Sequence, residues 1–160
     1  ATSLLPSAVR DRITLLLVGD GPDREAILKG YGAVEGLDVR ALGLRHDVDS
    51  LLTASDVFVF PTLHENLSNA LLEAMAASLP VIVTAVGGNV EVVEGGGGIL
   101  VPARDAQALA HAIERLVRQR NERRLLGDQA RAVAIANYSF SSTVAAWDKL
   151  YSTILGRDAG

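Results

Sequence analysis

Apolar residues in this chain first fall in short unbroken runs and then give way to helical spacing. Residues 13–18, 57–60, 81–84 and 98–101 are runs without in–out alternation, the pattern of strands covered on both faces, and residues 39–43 read as a further short strand. Helical segments lie between them. Residues 23–29 form one, ending at Gly30, and residues 48–54 form another, with Asp47 as its cap. A third follows Pro61, with Asn66, Ser68 and Asn69 as candidate N-caps, and a short fourth runs from the Gly87-Gly88-Asn89 turn to Val93. From Asp105 the character changes. Ala108, Leu109, Ala112, Ile113, Leu116 and Val117 repeat at helical spacing, then Leu125, Leu126, Ala130, Val133 and Ala134, and finally Val144, Trp147, Leu150, Tyr151 and Ile154. Residues 1–10 are too short for an element with its own partner. The glycine run 95–98 reads as a flexible turn.

Strands alternating with helices predict an α/β fold, a doubly wound Rossmann-like parallel sheet of five strands with a helical C-terminal segment. Ligands in such sheets bind outside the carboxyl ends of the strands, here at residues 19–22, 45–47, 61–69 and 85–89.

Composition narrows the function classes. A net charge of −4 over 160 residues supplies no basic footprint for nucleic acid. Without cysteine there is no disulfide framework and no thiolate metal site, which fits a cytoplasmic protein. No apolar run is long enough to span a bilayer. The start at Ala1-Thr2-Ser3 reads as a processed chain or a piece of a longer protein.

Glycines before a helix raise the question of a dinucleotide site, but Arg24 stands where the third glycine of G-x-G-x-x-G belongs. Neither a Walker-type phosphate loop nor a nucleophile turn is present. His46, His64 and His111 fall on separate elements without metal spacing, and only His46 and His64 lie on the proposed binding edge. More informative are two carboxylates, Glu65 and Glu73, eight residues apart. Glu73 is flanked by Leu71, Leu72, Ala74, Met75 and Ala76, so it must either point outward along the sheet edge or find hydrogen-bond partners. Ligand hydroxyls are such partners, and a helix N-terminus between the two glutamates can receive a phosphate. Together these describe a nucleotide sugar.

At these residues the chain resembles the retaining glycosyltransferases of the GT-B fold, in particular the C-terminal donor-binding domain of family 4. The signature is Glu65-Asn-Leu-Ser-Asn-Ala-Leu-Leu-Glu73, followed by Ala74-Met75-Ala76 and Leu79-Pro80-Val81-Ile82. Leu17 to Pro22, Ser55 to Pro61, Gly87 to Val93 and Gly98 to Pro102 support it in order and spacing. The resemblance implies that Glu65 faces the donor sugar, that amides of Asn66, Leu67, Ser68 and Asn69 contact sugar and phosphate, and that Glu73 holds the ribose. Gly19 and Gly21 would let a loop approach the nucleotide, and the segment with Arg45 and His46 would frame the base. It also implies a UDP-, GDP- or ADP-sugar donor and no cofactor or metal. The acceptor, a glycan, lipid or small molecule, would be held by an absent N-terminal domain, in the cytoplasm or at the inner face of a membrane.

On this reading residues 1–12 are the remnant of a preceding element, 13–140 the donor domain, and 141–160 a helix returning toward the other domain. The family's first strand, central in the sheet and followed by an arginine and a lysine that neutralise the diphosphate, has no counterpart here. An inactive fragment, prone to self-association or strand swapping at its open edges, is the expectation. Ser78 stands where the family often has glycine. The alternative is a non-catalytic module of the same fold that binds a nucleotide or a protein. A nucleotide-sugar epimerase is a third reading, disfavoured by the glutamate spacing.

Overall fold

The computed structural model describes residues 1–156. Five parallel strands form, but in two sheets. β1 (Thr14–Val18) pairs with β2 (Asp38–Gly43), and β3 (Phe58–Phe60), β4 (Val81–Thr84) and β5 (Gly98–Val101) form a second sheet in that order. β1 and β3 face each other across a cleft of about 1290 Å³. The expected single sheet is therefore divided at the place where the family resemblance puts a central strand.

The firm half of the molecule is the second sheet. All four residues of β4 are buried. Val81 and Val83 pack with Leu71 and Met75 of α4 (Asn69–Ala76), Val92 and Val93 of α5 (Gly88–Glu94), and Ala130 and Ala134 of α7 (Arg120–Tyr138). Ile82 turns to the opposite face, against Ala112 and Leu116 of α6 (Ala106–Arg118). This is the two-sided burial that an unbroken apolar run implies. Asp105 caps α6, accepting from the Gln107 and Ala108 amides at 3.0 and 2.8 Å.

The other half is thinner. Leu15, Leu16 and Leu17 of β1 are only partly buried, and α2 (Arg24–Gly32) buries no residue. The two-sided burial expected of residues 13–18 fails because one edge of β1 faces the cleft. Gly30 does not end α2, which continues to Gly32. A glycine inside an exposed helix costs only about 1 kcal/mol relative to alanine. α3 (Val48–Thr53) leads into β3.

Residues 1–10 do have a partner. A 3-10 turn (Thr2–Leu4) and α1 (Ser7–Arg10) place Leu5 and Val9 against Ala110 of α6. The glycine run 95–98 is not a loose turn either. A side chain at Gly97, whose φ is +92°, would meet the Ala130 Cβ at 2.7 Å, and one at Gly98 would meet the Val81 carbonyl at 2.7 Å, so these glycines permit close packing.

α7 secures α4 from behind. Arg131 Nη1 donates to the carbonyl of Ala76, the last residue of α4, at 2.5 Å. Gly127 lies directly on the Ser78 carbonyl, where an added Cβ would collide. Ser78 itself has φ +64°, the left-handed region that glycine occupies without strain, which is the physical content of the family's glycine there. α8 (Phe140–Ile154) follows and leaves Phe140, Trp147 and Ile154 exposed, with the Trp147 and Tyr151 rings stacked at 5.8 Å.

Two substitutions at this joint should behave differently in thermal unfolding. Gly127→Ala lowers stability by about 1–3 kcal/mol through overpacking. Ser78→Gly is neutral or raises it by up to about 1 kcal/mol, because relief of strain is partly offset by greater chain freedom in the unfolded state.

Candidate functional site

The carboxyl ends of the strands carry two groups of residues, one around the cleft and one on the loop after β3. α4 joins them. Of its three candidate caps, Ser68 is the one used: its Oγ accepts from the Leu71 amide at 3.3 Å, and its O–H keeps its capacity to donate. The helix then turns Leu71, Ala74 and Met75 into the core, and Ala70 and Glu73, three residues apart on the opposite side, into the cleft. Glu73 is exposed and, among the described residues, has no hydrogen-bond or ion-pair partner from its side chain. Of the two outcomes open to a carboxylate with apolar neighbours, the outward one holds.

Across the cleft stand Gly19 and Gly21. Gly19 has φ +119° and donates its amide to the Gly43 carbonyl at 2.8 Å, tying the ends of β1 and β2. The Gly21 amide is taken by Asp20 Oδ1 at 2.8 Å. Arg45 also lines the cleft, but its guanidinium is spent on Asp47, with Nε to Oδ1 at 2.8 Å and Nη2 to Oδ2 at 2.6 Å. These bonds hold the Asp47 carboxyl below the usual carboxylate range and raise Arg45 further. They also explain why Asp47, at the N-cap of α3, makes no side-chain cap bond. His46 is exposed beside them and does not line the cleft.

Glu65 and the residues after it lie apart from the cleft wall. Glu65 is partly buried, and its Oε1 accepts from the Asn66 amide at 3.1 Å, so that donor is occupied. Asn66, Leu67, Asn69 and His64 are exposed at the same edge. Thr62 Oγ1 donates to the His64 carbonyl at 2.9 Å. Sequence reasoning thus assembled two neighbouring clusters, Gly19, Gly21, Arg45 and Glu73 at the cleft and Glu65 to Asn69 on the adjoining loop.

It missed what supports the second cluster. Buried Thr84, at the end of β4, donates its hydroxyl to the Thr62 carbonyl at 2.5 Å. Fully buried Asn89 donates Nδ2 to the Thr84 carbonyl at 3.1 Å, while its Oδ1 has no partner. Gly87 and Gly88 lie directly on the peptide units of Glu65 and Asn66. Added Cβ atoms would stand 2.9 and 3.0 Å from those carbonyl carbons and collide with their oxygens. The available signal is the glycine pair just past the end of a strand, which the sequence places on the binding edge but does not connect to the Glu65 loop. Arg24 and Arg40 also line the cleft, which no motif in the sequence signals. No group of three or more His, Asp or Glu side chains is disposed to hold a metal among the described residues.

With this geometry in hand, known proteins sharpen the picture. Residues 3–119 match the family described as Glycosyl transferases group 1. The chain is 33% identical over 146 residues to N-acetyl-alpha-D-glucosaminyl L-malate synthase of Bacillus anthracis, covering 90% of itself and 38% of that protein. It is 34% identical over 117 residues to UDP-Gal:alpha-D-GlcNAc-diphosphoundecaprenol alpha-1,3-galactosyltransferase of Escherichia coli, covering 71% of itself and 29% of that protein. Among solved structures, sucrose-phosphate synthase from Thermosynechococcus elongatus superposes with a TM-score of 0.73 at 28% identity, over 98% of this chain and 42% of that one. The chain spans less than half the length of these relatives. Its fold is Rossmann-like, its resemblance to the C-terminal domain of GT-B glycosyltransferases is supported, and the chain belongs to the group 1 glycosyltransferase family.

Proposed function

We propose that this chain is the nucleotide-sugar-binding half of a retaining family 4 glycosyltransferase, and that it transfers no sugar alone. The observation that carries the reading is Glu73: an exposed carboxylate without a side-chain partner, held by a buried helix and aimed into the cleft opposite the Gly19–Gly21 turn. An unspent carboxylate in that position accepts two ribose hydroxyls. The first turn of α4 then offers free backbone N–H groups toward the diphosphate, and Glu65 accepts from the hydroxyls of the transferred sugar. Asn66, whose amide now serves Glu65, joins the donor only if that local bond opens. Arg24 brings positive charge to the same cleft, where departing diphosphate needs it. A UDP-sugar named in the E. coli relative supports this substrate class.

The remaining roles follow the family resemblance. The acceptor, a glycan, lipid or small molecule, belongs to a second domain of a longer protein acting in the cytoplasm or at a membrane's inner face. Retention of configuration and independence from metal are part of the same proposal. A further parallel strand belongs between β1 and β3, whose facing edges are unpaired among the described residues. The strand order β2-β1, cleft, β3-β4-β5 matches a doubly wound sheet with its first strand left out.

Three measurements test this reading. In calorimetric titration with UDP, GDP and ADP, one of them binds, and Glu73→Ala weakens it by about ten- to a hundredfold, the loss expected for hydrogen bonds to a charged group. Failure of all three to bind the folded chain refutes the reading. Mixed with donor and candidate acceptors, the chain alone forms no glycoside; product formation refutes the claim of inactivity. In a longer protein containing the proposed strand, β1 and β3 amides exchange hydrogen more slowly than in this chain, whereas those of β4, already paired on both sides, change little.

A further inference from the structure

The Glu65 loop has little hold on itself. Its own side-chain bonds, Thr62 to His64 and Glu65 to Asn66, are local and exposed. Its fixed points come from the next strand–helix unit. Thr84 holds the loop at Thr62, and Asn89 in turn holds the Thr84 carbonyl. Gly87, with φ +48°, and Gly88 lie flush against the Glu65 and Asn66 peptide units, so this contact tolerates no side chain from either glycine. Glu73, by contrast, is fixed by the packing of α4 against β4 and α7.

Accordingly we propose that Thr84, Gly87, Gly88 and Asn89 are positioning residues: the turn after β4 sets where Glu65 stands relative to Glu73. They act through the loop, and none of them need touch the donor. The inference rests on the nucleotide-sugar reading above and assigns the two glutamates to separate supports. Damage to the β4–α5 turn should therefore displace the sugar end of the site and spare the nucleotide end. Displacements of about 1 Å at a reacting group are enough to cost large factors in rate or fit.

The test uses whichever of UDP, GDP and ADP binds the wild-type chain most tightly, together with its glucose ester. The quantity read is the ratio of the two dissociation constants. Gly88→Ala should weaken the nucleotide sugar at least about tenfold more than the nucleoside diphosphate. Thr84→Val, which keeps the shape and loses the hydroxyl, should move the ratio in the same direction, and Thr84→Ser should restore it. An unchanged ratio in either folded loss variant, or no restoration by serine, overturns the proposal. If Gly88→Ala does not fold, the Thr84 pair decides alone. A wild-type chain that binds neither ligand overturns the nucleotide-sugar reading, and this inference with it. A wild-type chain that binds both, with an unmoved ratio in the variants, overturns this inference only.

Discussion

β4 is the strand on which the rest depends. Among the described residues it alone is paired along both edges, and it is buried on both faces, with Val81 and Val83 meeting α4, α5 and α7 and Ile82 meeting α6. Every helix that orients the carboxyl edge is docked directly or indirectly on these side chains. Hydrophobic burial is non-directional, so it does not by itself aim a glutamate. Direction comes from what close packing forbids: Gly97 and Gly98 bring β5 against α7 and β4, Gly127 brings α7 onto the Ser78 peptide, and Gly87–Gly88 bring α5 onto the Glu65 loop.

The cleft between β1 and β3 is the counterpart of that firm centre. Where β4 has two neighbours, β1 and β3 have one each among the described residues, and α2, beside the β1–β2 half, buries none of its side chains. Glu73 and the Gly19–Gly21 turn both line this gap, so the two walls of the proposed nucleotide site belong to the two separate sheets. A site divided in this way has one rigid wall, built on α4, and one wall whose approach depends on what joins the sheets. On the proposed reading, the gap between the two sheets is itself a reason for the chain to transfer no sugar alone.

Electrostatics at the edge is mostly already spent. Arg45 is bound to Asp47, Arg40 to Asp38, and the Asn66 amide to Glu65. Exposed pairs of this kind contribute little to stability. Their effect is to decide which groups remain for a ligand, and Glu73 stands out because its carboxylate has no side-chain partner among the described residues. That makes the pair Glu65 and Glu73 unequal: one is engaged locally on a loop, the other free on a helix.

From the sequence alone, the five strands, the order of the main helices, the Ser68 cap as a candidate, and the Glu65–Glu73 signature could be read, because each is written in residues close together along the chain. Two-state patterns such as apolar runs and helical spacing survive without knowledge of their partners. What the sequence did not carry was which residues touch across distance. Gly30 reads as a helix stop until the helix is seen to be exposed. The glycine runs at residues 87–88 and 95–98 read as turns until a backbone from elsewhere is found lying on them. The division of the sheet, and the support of Glu65 by the turn after β4, are contacts between segments about twenty or more residues apart. Only the tertiary structure decides those, because they depend on the shape of the space between elements rather than on the preference of any one of them.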